Sequence, residues 1–381
     1  MKLSSSHRWR RIGLNLVTVG VGLLVALILL EVLLRMAGPG RLYRSPDDML
    51  ATFDYRRGHG VYKPNRQGEM SIPFGDMVVM DRRTKEAIGE PRLVRYRMDS
   101  YGFRNDGDYR NEKYLLVGDS FIAGSGNSQE TLLSAQLKRD YGISAYNLGF
   151  PGGLHSYTRY VQRFDEAHKN KPQVLLFLFE GNDFPLPKPR RAGQGKKRRK
   201  PSSSFRIARK ELQQSFKELL VYRYAYSLSH ILMKKVQPQA YPKITVYKLR
   251  SRDDLYMGFL NNYIAVTERV SFDGGEEFPV KLARIKDQLA GVFFIPTKFR
   301  VYYDFLDLKS HPPLPNAQWA YLKRVAGRLG IRCVDLTGPL REESKRLLPE
   351  GKLTFWKDDS HWNRVGMAVT ARTVEAFLKE R

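Results

Sequence analysis

The chain has 381 residues, 42% of them hydrophobic and 27% charged, a balance that excludes a disordered or low-complexity polymer and suits one large or two ordinary folded domains. Lysine and arginine exceed aspartate and glutamate by 65 to 39, a net charge of +26, which points to an anionic partner: nucleic acid, a membrane face or an acidic glycan. The single cysteine, Cys333, excludes an intrachain disulfide; in Ile331-Arg332-Cys333-Val334-Asp335 it reads as inert buried core.

At the amino end Lys2, Arg8, Arg10 and Arg11 precede an apolar run from Ile12 to about Leu34, whose one acid is Glu31. The run is long enough to cross a bilayer as a helix. Basic residues before it predict an N-terminus in the cytoplasm and an exported remainder, an asymmetry that Arg35, Arg41 and Arg44 weaken. A cleaved signal peptide is the alternative, but Leu34-Arg35-Met36-Ala37-Gly38 offers no clean small-x-small cleavage site, so a retained anchor over 1–36 is expected.

Residues 37–112 are rich in glycine, proline and charge and read as a surface-running lead-in, with Asp76 to Met80 as a short strand. Arg97 to Asn105 carries turn chemistry at Asp99, Ser100 and Gly102, read as a turn pinned by packed aromatics.

The alternating strand and helix pattern occupies 113–381. Tyr114-Leu115-Leu116-Val117 is a short apolar strand ending in Gly118-Asp119-Ser120 and a small-residue loop. Asn127 with Glu130 predicts a capped helix running to about Arg139. Ala145-Tyr146-Asn147-Leu148-Gly149 is a second strand ending in small residues. Leu154, Tyr157, Val161, Phe164 and Ala167 then mark the apolar face of a helix. Val174 to Phe179 fits a strand buried on both faces and ends in Glu180-Gly181-Asn182-Asp183. Gly291 to Pro296 and Ile331 to Asp335 supply two more strands, with a helix from Asn316 to Leu329 between them. After Trp356-Lys357-Asp358-Asp359-Ser360-His361-Trp362-Asn363 comes a last helix through Val365, Val369, Val374 and Phe377. Such a series predicts a parallel sheet covered on both faces, with its site at the carboxyl rim.

Serine needs an adjacent base to act as a nucleophile, and His361 sits on a loop after the last strand, where it can reach the rim. A carboxylate must orient that base; Asp359 and Asp358 both qualify, and Asp359 is favoured. The backbone N–H groups of Ser120 and Gly149 and the Asn182 amide would meet the developing oxyanion. Each residue also has a plain structural reading. Ser120 would cap a helix, Gly149 would allow close packing, Asn182 would sit in a turn and His361 would be a surface histidine. Asp119 is read as support for its turn, His155 as a first-turn helix residue and Trp362 as packing.

Four blocks in this order, Gly118-Asp119-Ser120, Asn147-Leu148-Gly149, Gly181-Asn182-Asp183 and Asp358/Asp359 with His361, resemble those of SGNH (GDSL-like) hydrolases. The resemblance implies a flavodoxin-like three-layer α/β/α fold, here behind one N-terminal transmembrane helix. It further implies an esterase or acyl hydrolase with Ser120 as nucleophile, His361 as base and Ser120, Gly149 and Asn182 as the oxyanion hole. Glu180 departs from the family pattern, where glycine is common, and is expected to narrow or acidify the pocket. Asp358-x-x-His361 matches the common spacing. Asp359-Ser360-His361-Trp362 and Ile295-Pro296-Thr297-Lys298 are instead similar to stretches of alginate-type polysaccharide O-acetyltransferases, although those carry Asp-x-His before the serine block.

The rhythm breaks between about 185 and 278, where Lys188, Arg190, Arg191, Lys196 to Lys200, Arg206, Arg209 and Lys210 occur with no intervening acid, followed by a helix-like stretch from Phe205 to Lys235. Beside a solvated loop, the functional reading is a basic lid over Lys188–Lys210 that contacts an anionic glycan or lipid headgroups. Nucleic acid is not expected, since no motif accompanies the charge. The seven histidines and one cysteine show no metal-ligand spacing and no glycine-rich phosphate loop occurs, so no cofactor and no metal are expected.

The sequence thus predicts a bacterial single-pass membrane protein with its catalytic domain periplasmic or extracellular, acting on an acylated glycan or another ester. An O-acyltransferase using the same residues, an inactive glycan-binding assembly factor and a basic membrane-surface adaptor are the competing readings.

Overall fold

The computed structural model describes residues 5–37, 50–54, 59–184, 204–237, 243–250 and 252–380. The first helix, Ser5–Ala37, contains a 26-residue apolar segment, Ile12–Ala37, long enough to cross a membrane and with no part of it buried in the protein.

The lead-in is more ordered than a surface-running segment. Strands β1 (Ala51–Asp54) and β2 (His59–Tyr62) pair antiparallel, as do β3 (Gln67–Ile72) and β4 (Arg92–Arg97). Asp76–Met80, expected as a strand, is a short helix. Its five residues are too few for period to separate the two forms, and burial of Met77 and Val78 against Ile88 and Leu260 decides the outcome. The Asp99 turn is as expected: its carboxylate accepts from the N–H groups of Tyr101 and Phe103, the Asn105 amide and the Tyr146 hydroxyl, and Gly102 supplies the positive φ.

The central sheet contains β5 (Tyr114–Val117), β6 (Ala145–Asn147) and β7 (Gln173–Phe179), then β10 (Leu289–Ile295) and β11 (Cys333–Asp335). They lie in the order β11-β10-β7-β5-β6 and all pair parallel. Numbered by first appearance this is 2-1-3-4-5, the flavodoxin-like order, whose switch point falls between β5 and β7.

Period-two alternation builds the two cores. Leu175, Phe177 and Phe179 face one layer with Phe293, Trp362 and Phe377, while Val174, Leu176 and Leu178 face the other with Tyr157, Val161 and Leu322. Helix Leu154–Ala167 covers the second face and helix Arg364–Lys379 the first, giving three layers. Cys333 is only half-buried, because β11 is the sheet edge; burial still pushes its thiol pKa up.

The helix expected from Asn127 begins later, at Leu133–Tyr141, after a turn of 3-10 helix at Gln129–Thr131. Asn127 lies too far upstream to cap it, and its Nδ2 donates to the carbonyls of Ser125 and Trp362. In the insertion the long helix is divided into Ser204–Lys217 and Leu220–Val236 by extended backbone at Leu219. An antiparallel hairpin that the sequence reading missed follows, β8 (Ile244–Leu249) with β9 (Arg252–Leu260). Most of the basic run, Lys188 to Lys200, lies outside the described residues.

Candidate active site

Ser120 stands at the first position of a four-residue helix directly after β5. Gly118 is required there, since a Cβ would come within 2.6 Å of Ile122. Asp119 caps the turn, its Oδ1 accepting the Phe121 N–H at 2.9 Å, the supporting role expected of it. Burial pushes the Asp119 carboxyl up from its ordinary value, against the hydrogen bond from Phe121 and the charge of His361.

His361 reaches Ser120 from a loop 241 residues away in sequence, its Nε2 lying 2.7 Å from Ser120 Oγ. Its Nδ1 is 2.6 Å from Asp359 Oδ1, which also accepts the His361 backbone N–H at 3.1 Å. Of the two candidate carboxylates, Asp359 therefore meets the imidazole. Asp358 does not: it accepts from the N–H groups of Gly75 at 2.7 Å and Glu90 at 3.0 Å and from Arg92 at 2.9 Å, bracing the loop from below. Trp362 is fully buried against Phe121, as its packing reading requires.

The electrostatics bind these groups together. Burial lowers the His361 pKa, but the charge and hydrogen bond of Asp359, with Asp76 and Asp119, overcome it and hold the imidazolium up to about 9. Burial likewise raises Asp359, yet His361 and Arg92 bring its carboxyl well below the ordinary range.

Three residues that the sequence reading missed complete the site. Arg92, almost wholly buried, spans both aspartates: one terminal nitrogen donates to Asp358 and the other to Asp359, each at 2.9 Å, while its guanidinium lies 4.4 Å from the Trp356 ring. Asp76 accepts from Ser360 N and Oγ, and burial followed by the nearby charge of Asp359 pushes its carboxyl up to about 7. Lys298 is buried beneath the loop and donates to the carbonyls of Trp356, Lys357 and Asp359 at 2.8–3.2 Å. Burial pulls its ammonium down to about 8 against the upward pull of Asp76 and Asp359. The only advance signal was the Ile295-Pro296-Thr297-Lys298 stretch.

The expected oxyanion donors fare unequally. Asn182 follows β7 on the other side of the switch point, and its exposed amide makes one long contact, 3.4 Å to Asp119 Oδ2. Gly149 is corrected: its N–H donates to Asn147 Oδ1 at 2.7 Å, so it is not a free donor. A Cβ at Gly149 would lie 2.3 Å from the Ala123 nitrogen, so the residue is fixed by close packing. Glu180 also departs from expectation. It is buried, and its carboxylate is paired with two nitrogens of Arg300 and takes the Thr297 N–H, so it does not stand as an exposed acid. His155 lies in the first turn of its helix and contacts Arg159, as expected.

Asp76, Asp359 and His361 bring possible metal-ligand atoms within 4.8 Å of one another. Hydrogen bonds from Ser360, Arg92, Asp76 N and His361 already engage the carboxylates, and two buried cations, Arg92 and Lys298, balance them. This donor set suits proton transfer better than cation binding.

Residues 281–381 match the family model "SGNH hydrolase-like domain, acetyltransferase AlgX". A solved structure of a member of the lipolytic protein G-D-S-L family from Veillonella parvula is 13% identical, covers 70% of this chain and 98% of its own, and has a TM-score of 0.34. A second solved structure is 14% identical over 71% of this chain and 96% of its own, with a TM-score of 0.32. No curated protein matches. Over residues 281–381 the chain is thus similar to an SGNH hydrolase-like domain, and its parallel sheet with helices on both faces is an α/β fold.

Proposed function

We propose that the protein is a membrane-anchored serine esterase, its catalytic domain periplasmic or extracellular, that accepts an ester-linked acyl group on Ser120. The substrate is proposed to be an acetylated cell-envelope or extracellular glycan. One observation carries this reading: the unbroken series from Ser120 Oγ to His361 Nε2 at 2.7 Å and from His361 Nδ1 to Asp359 at 2.6 Å.

In the proposed reaction, neutral His361 takes the Ser120 proton as Oγ bonds to the acyl carbon. The carbonyl oxygen becomes an oxyanion that meets the Ser120 N–H and the Asn182 amide. Collapse breaks the ester C–O bond, and His361 returns the proton to the leaving alkoxide. Water, deprotonated by His361, then attacks the acyl-enzyme and releases the acid and free Ser120. Asp359, held charged by Arg92, steadies the imidazolium in both half-reactions.

The match to an acetyltransferase model over 281–381 favours a second reading, in which a sugar hydroxyl replaces water as acceptor. The same residues serve both. The test is acetate release and acetyl transfer by the full chain on purified envelope glycan, with Ser120→Ala alongside. Turnover that is lost in the variant supports the enzyme; glycan binding without either product, in both proteins, supports the assembly factor instead.

A further inference from the structure

Outside the spanning helix, twelve large hydrophobic side chains are exposed among the described residues, and six of them belong to the two insertion helices: Leu212 and Phe216 on Ser204–Lys217, and Leu228, Leu232, Met233 and Val236 on Leu220–Val236. Scattered apolar residues are ordinary on a protein surface, but such a concentration is not. On the second helix the four follow helical spacing along one side, opposite the buried Leu220 and Ser227.

The corner between these helices is fixed where the anchor leaves its apolar segment. Val221 N–H donates to Glu31 Oε2 at 3.0 Å, and Glu31 and Leu34 are the only side chains of 12–37 that are even partly covered. From the other side, Glu218 accepts from Thr52 at 3.1 Å and pairs with Lys63 at 2.8 Å, so the corner is also tied to the globular domain. Exposed Arg209 and Lys217 add positive charge to the first helix.

We infer that these two helices form an interfacial foot, lying in the headgroup and upper acyl region of the same bilayer that the N-terminal helix crosses. The occupant of the apolar face is lipid, because the helix that carries most of it begins against the anchor and the neighbouring helix carries basic side chains suited to anionic headgroups. The foot gives the domain a second attachment, which sets its height and tilt over the membrane. The inference rests on the anchor reading and is independent of the chemistry at Ser120.

The test uses the full chain with Cys333→Ser in nanodiscs of phosphatidylcholine and phosphatidylglycerol. A nitrobenzoxadiazole dye is placed in turn at Leu27→Cys in the anchor, Phe216→Cys and Leu232→Cys in the foot, and Val270→Cys as an exposed control. The expected result is blue-shifted emission at 216 and 232, quenched by lipids doxyl-labelled about 5–10 Å below the headgroups. Quenching is also expected at 27 and none at 270. Quenching at 27 with foot labels behaving like 270 overturns the foot and leaves the anchor standing. No quenching at 27 overturns both. Foot labels shielded only at high protein concentration, without lipid quenching, overturn it in favour of a second copy.

Discussion

Arg92 donates to Asp359 at 2.9 Å across 267 residues of sequence, so the carboxylate that meets His361 is held from the lead-in as well as from its own loop. Its other terminal nitrogen holds Asp358. The lead-in is thereby part of the site. Arg92→Ala leaves two adjacent buried carboxylates without their shared cation, and a loss of about 3–5 kcal/mol in urea unfolding is expected. Arg92→Lys retains the charge but not the planar two-nitrogen span, so kcat is expected to fall while part of the stability returns.

Asn182 tests the oxyanion assignment. Its side chain is exposed and makes one long hydrogen bond, so Asn182→Ala is expected to leave the melting temperature nearly unchanged. Loss of a transition-state donor lowers kcat by about 10²–10³ with little change in KM. A variant with full kcat contradicts the role.

The pH profile follows from the charges around His361. Only neutral imidazole accepts the serine proton, so kcat/KM is expected to rise with pH, with a midpoint above the ordinary 6.5 and toward about 9. Asp76 is one of the charges that favour the imidazolium, so Asp76→Asn releases the proton more easily and moves the midpoint down. An unchanged or raised midpoint contradicts the coupling. A raised folded-state pKa also stabilises the fold fully below pH 6.5, and that contribution is lost as pH rises through about 9.

Glu180 is expected to matter for stability. It is fully buried and takes two nitrogens of Arg300, so Glu180→Ala strands a buried guanidinium at a cost of about 3–5 kcal/mol in chemical denaturation. Because the Glu180 carboxylate is buried and paired with Arg300, the KM ratio between anionic and neutral ester substrates is expected to stay the same.

Much of this fold was legible in the sequence because its signals are local. Val174 to Phe179 is apolar at every position, and Gly118-Asp119-Ser120 compresses strand end, cap and candidate nucleophile into three residues. The contact of Asp359 with His361 was also readable, since two residues of spacing let its carboxylate reach both the backbone and the ring of His361. What escaped was set by contacts distant in the chain. Arg92, Asp76 and Lys298 resemble ordinary surface charges until the β3–β4 pair, the short helix at 76–80 and the turn after β10 close on the His361 loop. Gly149 failed as a free donor for a local reason invisible in composition: the Asn147 side chain turns back on it.

Ser120 is proposed to be a nucleophile activated by His361. The most direct test is labelling of the full chain with a serine-reactive fluorophosphonate, with the labelled peptide identified by mass spectrometry and Ser120→Ala and His361→Ala run in parallel. The expected result is one adduct, on Ser120, absent from the first variant and strongly slowed in the second. Equal labelling of wild type and Ser120→Ala would remove Ser120 as the nucleophile.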